Sequence, residues 1–209
     1  GYRFLGWFDA PSGGHKVTGS TPVVKDMTLY AQWKDSTIRG ECGDSLSWSL
    51  NEDTGVLRIS GSGEMNDYHS ADGLESPWHD YAAIVKSVVI GQGVKTVGNY
   101  AFANLKSLRS VEINAELKRL GSGAFYGCTA LSDLEGIEGV KVIGGECFRG
   151  CSALSAIGIP TGCTSVGSYA FAGTAIKSVS VPSSVVSLGE GAFASCRKLA
   201  YAELPSGIS

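Results

Sequence analysis

Five phenylalanines recur at a nearly constant interval and constrain the fold more than any other feature of the chain. Phe102, Phe125, Phe148, Phe171 and Phe193 follow one another at steps of 23, 23, 23 and 22 residues. A fixed period of about 20 to 50 residues is typical of a solenoid, in which each unit buries its apolar face only against its neighbours. The period therefore predicts a one-dimensional stack of units, and it favours a binding surface over a catalytic pocket.

Each unit combines a short strand with a compact arm that carries the Ala-Phe pair. The strand segments alternate in polarity and are Val111-Glu112-Ile113, Ile157-Gly158-Ile159, Val179-Ser180-Val181 and Ala202-Glu203-Leu204. This alternation predicts short strands, and stacking makes them parallel neighbours ~4.8 Å apart. In the third unit Gly136 stands where an apolar residue is expected, so we expect the strand at Leu134 to be short or bulged.

The predicted fold is a solenoid of α/β or mainly β character, with a helical or irregular arm in each unit. About five units fit between Ser87 and Ser209, and the last, C-terminal one is incomplete. Because the Phe, Leu and Val positions of successive units superpose into columns, we expect one continuous core.

Several further positions recur in phase with the phenylalanines. Around Phe148 the chain reads Ile143-Gly144-Gly145-Glu146-Cys147-Phe148-Arg149-Gly150-Cys151-Ser152-Ala153-Leu154. The consensus Ile-Gly-x-x-Ala-Phe-x-x-Cys-x-x-Leu-x-x-Val-x-Ile-Pro, over roughly residues 88–209, resembles the BspA-like (Treponema-type) leucine-rich repeat. The resemblance implies a leucine-rich-repeat solenoid and a role in adhesion at a bacterial surface.

Residues 1–34 have a different composition from the repeats. The segments Gly6-Trp7-Phe8 and Leu29-Tyr30-Ala31-Gln32-Trp33 resemble the two ends of a Listeria–Bacteroides repeat, also known as the internalin B-repeat. This resemblance implies a small β module of bacterial cell-surface proteins. A piece of this length is below the size that normally folds alone, so we expect a partial module that depends on the rest of the chain.

Residues 35–86 are predicted to cap the first unit of the solenoid. Leu46–Leu50 and Val56–Ser60 alternate cleanly, and the turn sequence Asn51-Glu52-Asp53-Thr54-Gly55 joins them. The pattern predicts a β-hairpin. The chain is therefore divided into a module at 1–34, a cap region at 35–86 and repeats at 87–209, the last of them incomplete.

Composition narrows the class of partner. The formal net charge is −3 and no basic run is present, which argues against nucleic acid. No apolar stretch reaches the ~18 residues of a membrane span, and no signal peptide is visible. We expect a monomeric segment of a longer exported protein, located extracellularly at the cell surface.

Five of the six cysteines fall into repeat columns rather than into a metal motif, and the sixth, Cys42, lies in the cap region without an obvious partner. Cys128, Cys151 and Cys196 share a column with Leu105 and Thr174, whereas Cys147 and Cys163 replace Ala and Val or Leu in other columns. Residues that exchange with small apolar side chains behave as buried free thiols. A Cys128–Cys151 disulfide remains a geometric alternative.

The loop around the two histidines His69 and His79 is the one place where acid–base or metal chemistry is conceivable. Its acidic residues are Asp67, Asp72, Glu75 and Asp80. The spacing matches no zinc motif, and no serine lies in a nucleophile elbow. We therefore prefer a polar surface loop anchored by Trp78 and Tyr81, and we expect no catalytic residue, no metal and no cofactor.

The outward face of the strands is the predicted ligand surface. Within each strand the middle residue points away from the core, and so does the residue two positions before it. The candidate binding residues are Glu112, Asp133, Glu135, Ser180, Tyr201 and Glu203. A six-strand face spans ~25 Å, which suits a protein segment or a glycan, and its acidic bias favours a basic partner. The alternative is an ordinary solvated sheet face.

Three functions fit these observations. The leading hypothesis is a non-catalytic adhesin segment that presents its sheet face to a protein or glycan on host or neighbouring cells. The alternatives are a passive stalk that displays another domain, and a targeting module of a larger surface enzyme.

Overall fold

The structure is a computed structural model that describes residues 2–69, 75–206 and 208. The N-terminal sheet is antiparallel and has three strands in the order β2-β1-β3. These strands are β1 (Tyr2–Phe8), β2 (Lys16–Val17) and β3 (Tyr30–Asp35). Three exposed aromatic rings pack on one another here, with ring centroids 4.9 Å apart for Phe4 and Trp33 and 5.9 Å apart for Phe4 and Trp7.

The cap consists of three antiparallel strands, one more than the sequence predicted. They are β4 (Thr37–Gly43), β5 (Leu46–Asn51) and β6 (Val56–Gly61). The β5–β6 hairpin is confirmed, and the Asn51 side-chain oxygen accepts hydrogen bonds from the backbone N–H groups of Asp53 and Thr54 in its turn. Gly55 closes the turn at φ +73°, where a Cβ would lie 2.3 Å from the Ile84 carbonyl oxygen.

The repeats build two parallel sheets rather than one. The strands that the sequence predicted are β8 (Ser87–Ile90), β10 (Ser110–Ile113), β12 (Asp133–Glu135), β15 (Ser178–Ser180) and β17 (Tyr201–Glu203). A second set, which was not predicted, comprises β7 (Gly63–Glu64), β9 (Val94–Val97), β11 (Arg119–Leu120), β13 (Val142–Ile143), β14 (Ser165–Val166) and β16 (Ser187–Leu188). The solenoid is therefore mainly β, and the arms between strands are turns.

The cap and the first three units share a single sheet. Its order is β12-β10-β8-β6-β5-β4, because β6 pairs in parallel with β8. The hairpin thus covers the first rung of the solenoid by continuing its ladder. The second set of strands forms another six-stranded sheet in the order β16-β14-β13-β11-β9-β7.

The predicted strand at Ile157-Gly158-Ile159 is wrong, since residues 155–160 adopt no strand. Three features account for the break. Gly136 ends β12 with φ +86°, Gly158 has low strand propensity, and Pro160 lacks a backbone N–H group. As a result β15 and β17 form a separate two-stranded sheet.

Stacked aromatic rings form the axis of the core. From Phe102 to Phe193 neighbouring ring centroids lie 5.4 to 5.5 Å apart, and the rings are nearly parallel. Trp78 extends this stack into the cap, with its ring 5.2 Å from that of Phe102 and its Nε1–H donating to the Ala101 carbonyl at 2.8 Å. The arms are also joined by backbone hydrogen bonds, such as Phe125 N–H to the Cys147 carbonyl at 2.8 Å.

All six cysteines are free thiols, and for the five in the repeats this confirms the prediction from the repeat columns. Five are buried and Cys196 is half-buried. In their shared column Cys128 and Cys151 donate to the carbonyl oxygens of Phe102 and Phe125 at 3.0 and 3.1 Å. Each thiol thereby bonds to the phenylalanine of the preceding unit, so the Cys128–Cys151 disulfide does not form.

Candidate functional site

The outer face of the cap-and-repeat sheet carries a row of side chains whose charge changes sign along its length. Strand register places six residues side by side, in the order Arg39, Ser49, Arg58, Val89, Glu112 and Glu135. Five steps of ~4.8 Å make this row ~24 Å long. We call the outer surface of β4, β5, β6, β8, β10 and β12 the graded face.

Glu112, Asp133 and Glu135 form the acidic end of the graded face. All three are exposed, and β10 and β12 place Glu112 directly beside Glu135. Like charges on adjacent strands repel each other, and solvent weakens that repulsion without removing it. The Asn114 amide donates to Glu112 Oε1 at 2.9 Å and is an uncharged partner. A cationic group placed here would therefore be attracted by three carboxylates at once.

The cap supplies the opposite end, which the sequence interpretation missed. Arg39 and Arg58 are exposed on neighbouring parts of the sheet and line a shallow depression of about 470 Å³. Arg39 Nη1 lies 2.9 Å from Asp35 Oδ2, and this hydrogen bond lowers the pKa of the Asp35 carboxyl. The sequence signal for this basic end was that Arg39 and Arg58 alternate with apolar neighbours. No local pattern revealed that the cap joins the sheet of the repeats.

The other three predicted residues lie in the separate sheet of β15 and β17. Ser180 Oγ donates to Glu203 Oε2 at 2.9 Å, and Tyr201 is 60% exposed. The continuous six-strand face expected from the repeats alone is wrong, because no strand bridges residues 155–160. The structure thus brings the six candidates together as two groups of three.

The described residues on either side of the histidine loop, among them His69, Glu75 and His79, border a cleft of about 390 Å³. His69 and His79 line it together with Tyr100, Tyr126 and Glu146. Trp78 is fully buried and Tyr81 is partly buried against the core, which confirms their predicted role as anchors.

The metal alternative for this loop finds no support in the side-chain arrangement. His79 Nε2 lies 3.2 Å from Glu75 Oε2, an ion pair only when the imidazole is protonated. Asp72 lies outside the described residues. Among residues 2–69, 75–206 and 208, no group of three or more His, Cys, Asp or Glu side chains is arranged to hold a metal ion.

The fold also creates a basic row that the sequence does not display as a run. The row consists of three exposed lysines, one in each of three successive units: Lys95, Lys118 and Lys141. Each follows a buried apolar residue, at or just before a strand of the second parallel sheet. Their backbones are joined directly, since Lys118 N–H donates to the Lys95 carbonyl and Lys141 N–H to the Lys118 carbonyl, each at 2.9 Å. The 23-residue spacing of these lysines was the available signal.

No helix in the described part of the chain has the length and apolar character needed to cross a bilayer.

Two family models match the chain. The BspA type leucine-rich repeat region matches residues 80–200 in six copies. The Listeria-Bacteroides repeat domain matches residues 1–32. No curated protein matches the chain significantly.

Solved structures with the same architecture are leucine-rich repeat proteins. One from Eubacterium ventriosum is 25% identical, with a TM-score of 0.68 over 82% of this chain and 45% of its own. One from T. pallidum is 24% identical, with a TM-score of 0.58 over 80% of this chain and 84% of its own. One from Bacteroides ovatus is 24% identical, with a TM-score of 0.58 over 80% of this chain and 42% of its own. The chain therefore spans less than half the length of the Eubacterium and Bacteroides proteins.

Proposed function

Because the chain belongs to the BspA-type leucine-rich repeat family, we propose that it is a non-catalytic binding module of a bacterial cell-surface protein. Its ligand is a protein or a glycan on host or neighbouring cells. The proposal includes an extracellular location, a monomeric state and the division into a module at 1–34, a cap at 35–86 and repeats at 87–209.

The observation that carries the proposal is the graded face. An exposed sheet surface ~24 Å long, with arginines at one end and carboxylates at the other, distinguishes both the identity and the orientation of a charged ligand. Its breadth and shallowness suit an extended macromolecular segment. A ligand with a basic stretch for Glu112, Asp133 and Glu135 would bind in one direction only, since the arginines would repel that stretch at the other end.

The second candidate function is a passive stalk, and the uninterrupted ring stack from Trp78 to Phe193 favours it. A continuous core of this kind holds the two ends of the solenoid at a fixed separation without any ligand. A spacer requires no particular charge on the graded face.

A binding array separates the two functions. The chain is applied to host matrix proteins and to bacterial and host glycans at low and at physiological salt. We expect a hit whose affinity falls as salt rises, because exposed charges are screened over ~10 Å at 0.1 M ionic strength. Absence of any hit, or a hit indifferent to salt, would contradict the proposal, and the former would favour the stalk.

A further inference from the structure

One backbone column in the arms has a left-handed conformation in every unit. Two positions before the stacked phenylalanines, φ is +50° at Tyr100, +60° at Gly123, +55° at Glu146, +56° at Tyr169 and +60° at Gly191. Glycine adopts this region without cost, whereas a side chain there is strained, most of all a bulky one. The tyrosines and the glutamate are thus present at positions where the fold itself would be better served by glycine.

At two of these positions, Glu146 and Tyr169, the side chains contact the guanidinium of Arg149 in the same chain. The Arg149 guanidinium lies 5.5 Å from the centroid of the Tyr169 ring. Arg149 also forms an ion pair with Glu146. A guanidinium held between an aromatic face and a carboxylate is a favourable arrangement, because the ring quadrupole and the negative charge attract it together.

The cap-proximal unit repeats this arrangement but lacks the arginine. Trp78 stacks on Phe102 as Phe148 stacks on Phe171, so His79 corresponds to Arg149 and Tyr100 corresponds to Tyr169. The carboxylate partner is also present, since Glu75 pairs with His79. An imidazole is shorter than a guanidinium side chain and is charged only when protonated.

The cleft of about 390 Å³ described above lies beside His79, whose imidazole stands in place of a longer arginine side chain. The unit of Phe102 contributes Tyr100, Ala103 and Asn104 to the lining, and the Tyr100 ring leans over Gly123 of the next unit, where a Cβ would come within 2.2 Å of that ring. Tyr126 lines the cleft from the unit of Phe125, and Glu146 lines it from the unit of Phe148. The opening is therefore bounded by phenol rings, by the imidazoles of His69 and His79 and by the carboxylates of Glu75 and Glu146, and the His69 ring lies 6.2 Å from the Tyr100 ring.

The charges of the cleft favour a cation. Arg149 is the permanent cation paired with Glu146, whereas Glu75 pairs with His79, which is charged only when protonated. Burial, and then the neighbouring Glu146 carboxylate, raises the pKa of Tyr100, so its ring remains a neutral phenol. Among the described residues that line the cleft there is no lysine or arginine.

We propose that this cleft binds the guanidinium of an arginine side chain from a polypeptide partner, stacked on the Tyr100 ring and paired with Glu75 and Glu146. The guanidinium bound on Tyr100 would correspond to that of Arg149, which lies over Tyr169 three units further along the solenoid. The cleft shares no residue with the graded face, so either proposal can fail without the other.

The test is NMR titration of the whole chain with a blocked pentapeptide containing one arginine flanked by glycines. The control peptide carries citrulline, which has the same shape and no charge. We expect saturable shifts at the backbone amides of Tyr100, Tyr126 and Glu146 with the arginine peptide, and about tenfold weaker binding of the citrulline peptide. Equal binding of the two peptides, or no shift at these amides, would overturn the proposal.

Two variants separate binding from folding. Tyr100→Gly removes the ring and relieves the strained φ, so we expect a melting temperature equal to or above that of the wild type together with about tenfold weaker arginine binding. Glu75→Gln, at an exposed position, should also weaken binding without unfolding the chain. The matched control Tyr169→Gly removes the equivalent ring outside the cleft and should leave binding within about twofold; a Tyr100→Gly variant that binds like the wild type contradicts the proposal.

Discussion

Phe125 occupies the middle of the ring stack and shows how much a single residue contributes to this fold. It is fully buried, and the rings of Phe102 and Phe148 lie 5.4 Å away on either side. Phe125→Ala leaves a cavity between two rings that the repeat spacing holds apart. We expect a loss of about 3–5 kcal/mol in the free energy of unfolding, measured by urea titration.

The control for this change is Tyr201→Ala, since Tyr201 is 60% exposed. It should alter the free energy of unfolding by no more than about 0.5 kcal/mol. A loss below about 1 kcal/mol for Phe125→Ala would show that the stack can collapse around a missing ring.

The buried thiols give the protein a stability that depends on pH. Burial raises the pKa of Cys42 and of Cys151 to about 12, whereas an unfolded thiol ionises near pH ~8.5. Between these values the folded chain holds protons that the unfolded chain releases, so the free energy of unfolding falls as pH rises from ~8.5 towards 12. We expect a lower urea midpoint at pH 10 than at pH 7.

The control for this pH dependence is the double variant Cys42→Ala, Cys151→Ala. The double variant should show a smaller difference between the two pH values, because two of the titrating groups are gone. Thiol-reactive dye at pH 8 offers an independent check, in which half-buried Cys196 reacts before the five buried thiols. Equal pH sensitivity of variant and wild type would contradict this assignment.

At the scale of the strands, Gly136 decides where the cap-and-repeat sheet ends. Its φ of +86° places a Cβ only 2.0 Å from the Ile113 carbonyl oxygen. Gly136→Ala should therefore lower the free energy of unfolding by roughly 1–3 kcal/mol in urea titration. Gly158 is the matched control, since a Cβ there meets nothing within 4 Å and its φ is not positive.

Gly158→Ala should be neutral or stabilise the chain by up to about 1 kcal/mol, because alanine restricts the unfolded state. Similar destabilisation by both substitutions would mean that the break between β12 and β15 depends on something other than the backbone of Gly136.

The strands also show which parts of the structure the sequence could reveal. Alternation identified β5, β6, β10, β15 and β17, the repeat phase placed β8, and the replacement at Gly136 identified the shortened β12. The second parallel sheet escaped notice because five of its six strands, all but β9, have only two residues, which is too short for alternation to show. The pairing of β6 with β8 joins segments about 30 residues apart, and no local pattern specifies such a contact.

At the scale of the whole molecule, the 23-residue period places equivalent residues of successive units side by side in rows. That period was sufficient to predict the core, the free thiols and the exposure of Glu112, Asp133 and Glu135. It was not sufficient to predict the graded face, since half of that face comes from the cap. The cleft beside His69 and His79 was visible in the sequence only as a histidine loop. Its relation to Arg149 and Tyr169 depends on Trp78 being the first ring of the stack, which the sequence did not show.

The most direct test of the central claim compares the ligand binding of two triple variants with that of the wild type. One variant neutralises the acidic end of the graded face: Glu112→Gln, Asp133→Asn and Glu135→Gln. The other makes the same change in net charge at three exposed glutamates outside the strands of the graded face: Glu64→Gln, Glu116→Gln and Glu138→Gln. Affinity for the array hit should fall at least about tenfold in the first variant and stay within about twofold in the second; equal affinities of the first variant and the wild type would contradict the account.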